Sequence, residues 1–254
     1  MLPKLFRYFG TAIEDGITAS FSDVAMERDS LMEGSLKDYL TMALQGLVKR
    51  GLDFIISGVL LLMSLPLFVV IAILIKIDTG GPVFFRQKRA GNRGKTFIIW
   101  KFSSMRQENS EDEHRQYVKY LLSESTCAED RVDLLAGYID YVDGRTTKIG
   151  RFLRSTSLDE LPQLINIFLG DMSLVGPRPH PVYEVTEYKE WYRRRLDVKP
   201  GLTGWSKINL RCTPKNYEES ILFDLWYVDH WSLGLDVRIM LKTIPFVMKT
   251  KDAH

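Results

Sequence analysis

The chain has 254 residues, 45% of them hydrophobic, which is enough to bury a core in one domain with an appendage. Its two cysteines, Cys127 and Cys212, stand far apart, which argues against a disulfide framework and indicates a reducing compartment. The four histidines lack the paired spacing of a zinc site. We expect no nucleic-acid partner.

Residues 1–47 are predicted to form an N-terminal leader. The opening MLPKLFRYFGTAIEDG contains no apolar segment of the length that a signal peptide requires. Basic and aromatic side chains at 4–9 would suit contact with a membrane surface. A leader that is flexible or packs on the rest of the chain is the alternative.

The longest apolar segment, residues 54–75, contains 22 positions without a charge. As a straight helix it would be about 33 Å long, enough to cross a bilayer core. A buried helix of a soluble protein is the less favoured alternative. Pro66 lacks a backbone N–H and should kink the helix, and the Ser64 hydroxyl could bond a carbonyl that this proline frees.

Basic residues flank this segment on both sides, with Lys49 and Arg50 before it and Lys76 after it. Positive charge marks the cytoplasmic side of a membrane, so both flanks favour the cytoplasm. We therefore predict that residues 48–76 form a re-entrant membrane helix, which enters and leaves the same leaflet. Residues 77–254 would then form one cytoplasmic domain.

Charge is segregated within that domain. Residues 76–106 carry eight basic side chains against Asp78 alone, and this block would meet anionic headgroups or a diphosphate, unless it is a solvated basic surface. Strand-like runs at 82–88 and 95–102 flank a turn rich in glycine, which predicts a β-hairpin. Residues 107–146 are acidic and are predicted to form a helical insertion.

The remaining elements are predicted to be helices joined by turns. Their positions are a helix at 181–195, a turn at KPGLTGW (199–205), and amphipathic helices at 216–229 and 233–248. The aromatic cluster Trp226, Tyr227 and Trp231 would rest on lipid headgroups. The predicted fold class is mixed α/β and predominantly helical, with a re-entrant helix, a small β-hairpin and amphipathic interfacial helices.

Two adjacent carboxylates, Asp159 and Glu160, stand where an apolar helix is predicted to begin. Ser157-Leu-Asp-Glu160 matches a capping box, so helix capping is one interpretation of Glu160. Pro162 is tolerated within a first turn, which places the helix start close to Asp159, where the macrodipole favours an anion. The other interpretation is a Mg²⁺ and phosphate site, with Glu160 as the main ligand and Asp159 sharing the ion.

Basic side chains near this pair are candidates for binding phosphate. Arg178 lies between two prolines that fix its backbone, so its guanidinium can grip phosphate oxygens through two donors, although an incidental surface arginine is the alternative. Thr203 stands in a turn that could approach a bound ligand. The other candidates, each of which could be an ordinary surface base, are Arg154, Lys101, Arg86 and Lys88.

An ordered series of motifs extends over about residues 48–250. The series comprises Lys49-Arg50-Gly-Leu-Asp53, GPVFFRQKRAG (81–91), WKFSSMR (100–106), TKIGRFLRSTSLDELPQLINIFLGDMSLVGPRPH (147–180), KPGLTGW (199–205) and WSLGLDVRIMLKT (231–243). It resembles the bacterial sugar transferases, also called monotopic phosphoglycosyl transferases. Residues 1–47 lie outside the resemblance.

The resemblance implies that Asp159 attacks the β-phosphorus of a UDP-sugar, releasing UMP and forming an aspartyl-phosphosugar. Undecaprenyl phosphate would then receive the hexose-1-phosphate, which initiates exopolysaccharide, capsule or O-antigen synthesis. Residues 77–254 would be the catalytic domain, at the cytoplasmic face of the bacterial inner membrane. The expected partners are a UDP-sugar, undecaprenyl phosphate and membrane lipids, with Mg²⁺ as cofactor; a homo-oligomer is left open.

Two other functions are compatible with the sequence. The first is an inactive membrane scaffold of the same fold that recruits glycosyltransferases, against which the intact Asp159-Glu160 pair argues. The second is a membrane-surface module for anionic lipids, in which the carboxylates only cap a helix. Neither the sugar nor the polysaccharide pathway is specified by the sequence.

Overall fold

The computed structural model describes residues 21–106, 114–115, 118, 141–142, 144–210 and 217–249, with side chains between residues 40 and 245. This part of the chain is mostly helical with a small β-hairpin, as predicted, and it also contains a second two-stranded sheet that was not predicted. The α-helices are α1 (Phe21–Thr79), α2 (Lys148–Ser155), α3 (Gln163–Leu169), α4 (Val182–Thr186), α5 (Trp205–Asn209), α6 (Tyr217–Asp229) and α7 (Leu233–Lys249). The strands are β1 (Phe84–Ala90), β2 (Thr96–Phe102), β3 (Ser173–Val175) and β4 (Gly201–Thr203). Segments of 3-10 helix occur at Asn92–Gly94, Leu158–Glu160 and Glu190–Asp197.

Two compact units are distinguished, Met1–Val48 and Lys49–His254. The first is helical from residue 21 onward, and residues 1–20 of the predicted leader lie outside the described residues. The second contains the remainder of α1 and every other element named above. Most of the predicted acidic insertion, residues 107–146, also lies outside the described residues.

Helix α1 is longer than the predicted segment 48–76. Within it, Leu40–Thr79 is long and apolar enough to cross a membrane by length and composition, with a mean hydropathy of 2.9 over its most apolar window. Only 11% of that window is buried in the protein, and large apolar side chains such as Leu62 and Met63 are exposed. These properties favour contact with lipid over a role as the core helix of a soluble protein.

The helical conformation of α1 is uninterrupted at Pro66. Because proline has no N–H, the carbonyl of Leu62 loses its usual partner. The Ser64 hydroxyl donates to the carbonyl of Leu61 at 3.0 Å, one residue before the freed group. The hydroxyl therefore bonds a neighbouring carbonyl, and the predicted bend at Ser64 and Pro66 stays a prediction.

Side chains of the Lys49–Asp53 motif fix the start of the second unit to its core. The Asp53 carboxylate accepts a hydrogen bond of 2.9 Å from the Leu174 amide in β3. The Arg50 guanidinium donates to the last carbonyls of α3, those of Ile167 and Phe168, at 2.8 Å each. A helix end leaves such carbonyls without their usual helical partners. The Ile167 carbonyl also accepts from the Gly170 amide at 3.0 Å, and Arg50 completes the cap of α3 from outside.

The predicted β-hairpin is confirmed. Strands β1 and β2 are antiparallel, with Arg86 opposite Trp100 and Lys88 opposite Ile98. The connecting turn places Arg93 at φ 55°, in the left-handed region. Strand β2 buries Ile99 in the main core and Phe102 in a second cluster.

The main core lies between β2, α3, β3, α6 and α7. Its buried members include Ile99, Leu164, Ile167, Val175 and Ile239. A second cluster joins the later part of α1 to the hairpin and α2, and its buried members are Ile71, Ile75, Phe102 and Leu153. The hairpin thus packs on two apolar clusters at once, and this packing fixes the position of its strands.

Three details of the C-terminal half differ from the prediction. The helix predicted at 181–195 is divided into α4 and the 3-10 segment Glu190–Asp197. The KPGLTGW segment contains strand β4, which pairs in parallel with β3. The two segments approach closely at Gly176, where a Cβ would come within 2.3 Å of the Lys199 carbonyl oxygen, so only glycine permits this pairing. Tyr227 is buried and bonds Asp236 at 2.7 Å, so it does not rest on headgroups.

Candidate active site

The Asp159-Glu160 pair lies in the 3-10 turn between α2 and α3 and does not belong to a capping box. Ser157 adopts φ 57°, and its side chain makes no capping hydrogen bond. Helix α3 begins only at Gln163, after Pro162 at φ −61°, and has seven residues. The capping-box interpretation of Glu160 is therefore wrong. The helix start predicted close to Asp159 is a short 3-10 segment, and the α-helix itself begins only after Pro162.

Glu160 is held by two lysines. Oε1 accepts a hydrogen bond of 3.2 Å from Lys101 Nζ, and Oε2 accepts one of 2.7 Å from Lys207 Nζ. Burial disfavours the carboxylate, but the charges of Lys101 and Lys207 outweigh this effect and hold the pKa of Glu160 far below its usual range. Glu160 is therefore ionised at any physiological pH.

Asp159 is buried beside this cluster, with 9% of its surface exposed. Its Oδ2 lies 3.9 Å from Lys101 Nζ, farther than a hydrogen bond. Burial raises the pKa of Asp159; the charge of Lys101 opposes the shift and that of Glu160 adds to it. Burial also lowers the pKa of Lys101, which the two carboxylates oppose. The pair thus contains one firmly paired carboxylate and one loosely paired one.

A cleft of about 570 Å³ opens next to these groups. Of the predicted site residues, it is lined by Lys101, Arg154, Glu160, Arg178 and Thr203. Asp159 is not a lining residue, but its Oδ2 lies 3.9 Å from Nζ of Lys101, which is one. Residues distant in the sequence therefore meet around one cavity whose charge is mainly positive near the carboxylates.

The predicted basic residues differ in how they are engaged. The Arg178 backbone is fixed, since its carbonyl accepts a 2.9 Å hydrogen bond from Arg195, while its exposed guanidinium makes no bond to the described residues. Arg154 Nη1 donates to Thr146 at 3.3 Å. The Thr203 hydroxyl bonds the Thr243 hydroxyl at 2.7 Å. Arg178 is thus the side chain most available to an incoming anion.

Arg86 and Lys88 do not line the cleft. The Arg86 guanidinium lies over the Trp100 ring, 4.1 Å from its centroid, in a cation–π contact. Lys88 is exposed on the hairpin. Their strand contributes Arg89 to the cleft instead, because successive side chains of a strand point to opposite faces. The sequence alone did not show which face of the strand is turned to the cleft.

A network of polar side chains around His180 lies at the cleft, and the sequence analysis did not predict it. His180 Nδ1 lies within 2.8 Å of Tyr188 Oη, Arg195 Nη1 and Tyr217 Oη. Burial and the charge of Arg195 lower the pKa of His180 to about 4, so the ring is neutral at physiological pH. Only its position directly after Pro-Arg-Pro could have drawn attention to His180. For Lys207, the corresponding signal was its position two residues after KPGLTGW.

The carboxylate pair fits a Mg²⁺ ion only in part. No group of three or more His, Cys, Asp or Glu side chains that could hold a metal occurs among the described residues. Mg²⁺ is commonly held by one or two carboxylates together with substrate phosphates, so a pair is chemically sufficient. Both oxygens of Glu160 already bond lysines, which leaves Asp159 as the less engaged oxygen donor.

A long apolar helix joined to a cation-lined cleft with paired carboxylates defines a class of protein suited to an anionic substrate at a membrane. Residues 44–250 match the family model described as bacterial sugar transferase. The chain belongs to the bacterial sugar transferase family, which confirms the resemblance of its motifs.

Relatives with curated names agree with this membership. The UDP-glucose:undecaprenyl-phosphate glucose-1-phosphate transferase of Escherichia coli strain K12 is 39% identical over 206 residues, which cover 78% of this chain and 39% of that protein. The undecaprenyl-phosphate galactose phosphotransferase of Salmonella typhimurium is 37% identical over 82% of this chain and 42% of that protein. The uncharacterized sugar transferase EpsL of Bacillus subtilis is 36% identical over 80% and 88%. The chain thus spans about two fifths of the first two relatives.

Proposed function

We propose that this protein transfers a hexose-1-phosphate from a UDP-sugar to undecaprenyl phosphate and releases UMP, as an initiating step of exopolysaccharide, capsule or O-antigen synthesis. The observation that carries the proposal is the placement of Asp159 beside the lysine-held Glu160, at a cleft with several cations. The names of the relatives from Escherichia coli and Salmonella typhimurium support the substrates.

Asp159 is the better nucleophile of the pair. Both oxygens of Glu160 bond an ammonium group, whereas the Asp159 carboxylate has only the 3.9 Å contact with Lys101. A carboxylate whose lone pairs are engaged by two cations is a weak nucleophile, and a desolvated, loosely paired one is stronger. Glu160 instead holds the two lysines in place.

The reaction has two displacements at one phosphorus atom. An oxygen of Asp159 bonds to the β-phosphorus, and the bond from that phosphorus to the bridging oxygen breaks, with its electron pair leaving on UMP. A phosphate oxygen of undecaprenyl phosphate then bonds to the same phosphorus, the acyl-phosphate bond breaks, and the Asp159 carboxylate is restored. No net proton, oxidant or reductant is needed.

The cations of the cleft would stabilise the negative charge of these steps. Lys101, Lys207, Arg154 and Arg178 line the cleft, and the charges of Lys101, Lys207 and Arg178 all lower the pKa of Glu160. Fixed positive groups that contact the equatorial oxygens are the main means of catalysing phosphoryl transfer. Asp159, the less engaged carboxylate, would hold Mg²⁺ together with the substrate phosphates, and Glu160 would share the ion only by giving up one of its lysine bonds. The ion would neutralise the diphosphate and improve the leaving group.

Two alternatives remain distinguishable from this proposal. An inactive scaffold would keep the fold without turnover, and nothing in the arrangement of Asp159 favours it. A module for anionic lipids in which Glu160 only caps a helix is disfavoured, because Glu160 bonds lysines and Ser157 caps nothing.

The direct test is incubation of the full chain, in lipid nanodiscs, with undecaprenyl phosphate and each of several UDP-sugars, with and without Mg²⁺. We expect UMP release with one of the UDP-hexoses and loss of turnover on chelation. If no UDP-sugar yields UMP while the protein still binds the membrane, the scaffold or lipid-binding function replaces this one.

The charge of Lys101 should set the pH dependence of the reaction. The reaction needs the ionised Asp159 carboxylate. Activity is therefore present above the pKa of Asp159 and is lost as the pH falls through that pKa. Lys101 lowers that pKa, and its replacement in Lys101→Met should raise it further. We expect the pH below which the residual UMP burst disappears to move upward, relative to wild type.

The matched control for this measurement is Lys95→Met, an exposed lysine on the hairpin turn, whose profile should overlay that of wild type. An unchanged acid limb in Lys101→Met would show that Lys101 does not act on the group that titrates.

The topology of α1 is testable by labelling. Because both flanks of the apolar segment are basic, we propose that both ends face the cytoplasm. Single cysteines in place of Gln45 and Pro82, in a chain lacking Cys127 and Cys212, should react with a membrane-impermeant reagent only from the cytoplasmic side. Pro66→Ala should favour a straight, spanning helix. Labelling of the two positions from opposite sides in the parent chain would contradict the re-entrant arrangement.

A further inference from the structure

The cleft contains a second acidic centre, which the proposed displacements leave without a role. Glu184 lines the cleft, and its side chain is only 7% exposed. Its Oε2 lies 2.9 Å from His180 Nδ1 and accepts a 3.1 Å hydrogen bond from the Tyr217 hydroxyl. Its Oε1 lies 3.8 Å from His114 Nε2, beyond hydrogen-bond distance. One oxygen of this buried carboxylate is therefore held and the other can accept from a ligand.

Arg89, which also lines the cleft, has donors that the described residues leave unused. Its Nη1 donates to the Pro179 carbonyl at 3.0 Å, while its Nε is buried without a partner. Burial lowers the pKa of Arg89 to about 10, against the opposing charge of Glu184, so the group is charged at neutral pH. A buried guanidinium with an unpaired donor is costly, and the charge of a phosphate in the cleft that Arg89 lines would offset part of this cost.

Backbone hydrogen bonds join the strand that carries Arg89 to the segment that carries Arg178. The end of β1 bonds the segment after Arg178, through Ala90 N to the His180 carbonyl at 3.0 Å and through a bridge between Arg89 and Pro181. The charges of Arg178, Glu184 and Glu160 all act on Arg89, and the charge of Arg178 also acts on Glu160. Arg89 is thus within electrostatic reach of both acidic centres of the cleft, and Arg178 of the one at Glu160.

The geometry of phosphoryl transfer assigns a direction to the cleft. Attacking and leaving oxygens lie roughly in line through the phosphorus, so the leaving group departs on the side opposite the nucleophile. With Asp159 at the Glu160 end, the departing nucleotide must extend away from that end. Arg89 and the polar cluster around Glu184 line the same cleft, and the charge of Glu184 acts on Arg89 more strongly than that of Glu160 does, so this cluster is the part of the lining away from the Asp159-Glu160 pair.

We propose that this end of the cleft is the subsite for the leaving nucleotide, in which Arg89 binds the phosphate of UMP and the Glu184 carboxylate accepts hydrogen bonds from the ribose hydroxyls. The proposal rests on the proposed function, since the nucleotide is the leaving group of that reaction. An acidic side chain is a common acceptor for a ribose hydroxyl, and an arginine suits a terminal phosphate. The Tyr217 hydroxyl, which donates to Oε2, holds the carboxylate in position for this role.

The test compares the affinities of UMP, uridine and 2′,3′-dideoxy-UMP for the full chain in nanodiscs, by calorimetry and without lipid acceptor. Arg89→Gln should lower the affinity for UMP by about 10- to 100-fold and leave the affinity for uridine unchanged, since it removes a charge-assisted bond to phosphate. Glu184→Gln should lower the affinity for UMP by about tenfold and leave the affinity for dideoxy-UMP unchanged. Arg93→Gln, an exposed arginine on the same hairpin, is the matched control and should bind all three as wild type does.

Each variant carries its own check on folding, because the ligand that lacks the missing contact should bind normally. UMP affinity in Arg89→Gln equal to that of wild type would overturn the proposal, as would an unchanged preference of Glu184→Gln for UMP over dideoxy-UMP. Altered discrimination among UDP-hexoses at constant UMP affinity would also overturn it, by assigning this end to the sugar. A wild-type chain that binds no UMP and releases none from any UDP-sugar would instead refute the proposed function.

Discussion

Replacing Asp159 with asparagine should abolish both the burst of UMP and turnover, with a loss on the order of 10⁵-fold or more in kcat, as expected for removal of a nucleophile. Asparagine has nearly the size of aspartate, and the Asp159 carboxylate makes no close hydrogen bond among the described residues, so the variant should fold. The wild-type protein with UDP-sugar alone should release about one UMP per chain before lipid is added. Intact-mass analysis should then show an added hexose-phosphate on Asp159.

Two companion variants make this experiment specific. Asp171→Asn alters an exposed carboxylate that lies outside the cleft lining and should keep the burst. Glu160→Gln should lose activity as well, because it leaves Lys101 and Lys207 without their shared anion. An active Asp159→Asn enzyme, or UMP that appears only after both substrates are present, would remove the covalent intermediate and leave direct transfer between substrates.

The largest effect on stability should come from Asp224→Ala. Asp224 and Arg195 form an ion pair in which each side chain is 2% exposed. Removing the carboxylate leaves a buried guanidinium uncompensated, which costs about 3–5 kcal/mol in the free energy of unfolding. The same arginine bonds the Arg178 carbonyl at 2.9 Å and His180 at 2.7 Å, so the loss should also disturb the cleft.

The chain offers a matched control for this pair. Arg194 and Asp229 come from the same two elements, the 3-10 segment and α6, but their side chains are 55% and 43% exposed. Water and salt screen such a pair, so Asp229→Ala should cost at most about 1 kcal/mol. Chemical unfolding of both variants in the same detergent gives the comparison. Equal costs for the two would show that the buried pair is not what stabilises this part of the domain.

Local pattern was sufficient for several features of this protein. Twenty-two uncharged positions require a lipid-facing or buried helix, and alternating runs around a glycine-rich turn require a hairpin, because these properties depend on residues close in sequence. The motifs from Lys49 to Thr243 also established the family. The adjacent carboxylates at Asp159 and Glu160 marked the cleft, since a pair of acids before a Pro-Arg-Pro turn is visible without knowledge of the fold.

Local pattern misled where several conformations share one sequence signature. Ser157-Leu-Asp-Glu160 satisfies the capping-box pattern, yet packing holds Ser157 in the left-handed region and turns Glu160 toward two lysines. KPGLTGW has the composition of a turn, but its glycines permit the close approach of β3 and β4. In each case a tertiary contact outweighed a local preference of about 1 kcal/mol.

Only the tertiary structure decided which cations and acids share the cleft. Lys207 and Glu160 are 47 positions apart in the chain, and Arg89 and Pro179 are 90 apart. Arg86, Lys88 and Arg89 have the same chemistry in the sequence, and the register of the hairpin places only Arg89 in the cleft. The sequence by itself determined the long apolar helix, the family and the carboxylate pair. Which charges surround that pair depends on long-range packing, because Coulomb interactions depend on distance in space and not on separation along the chain.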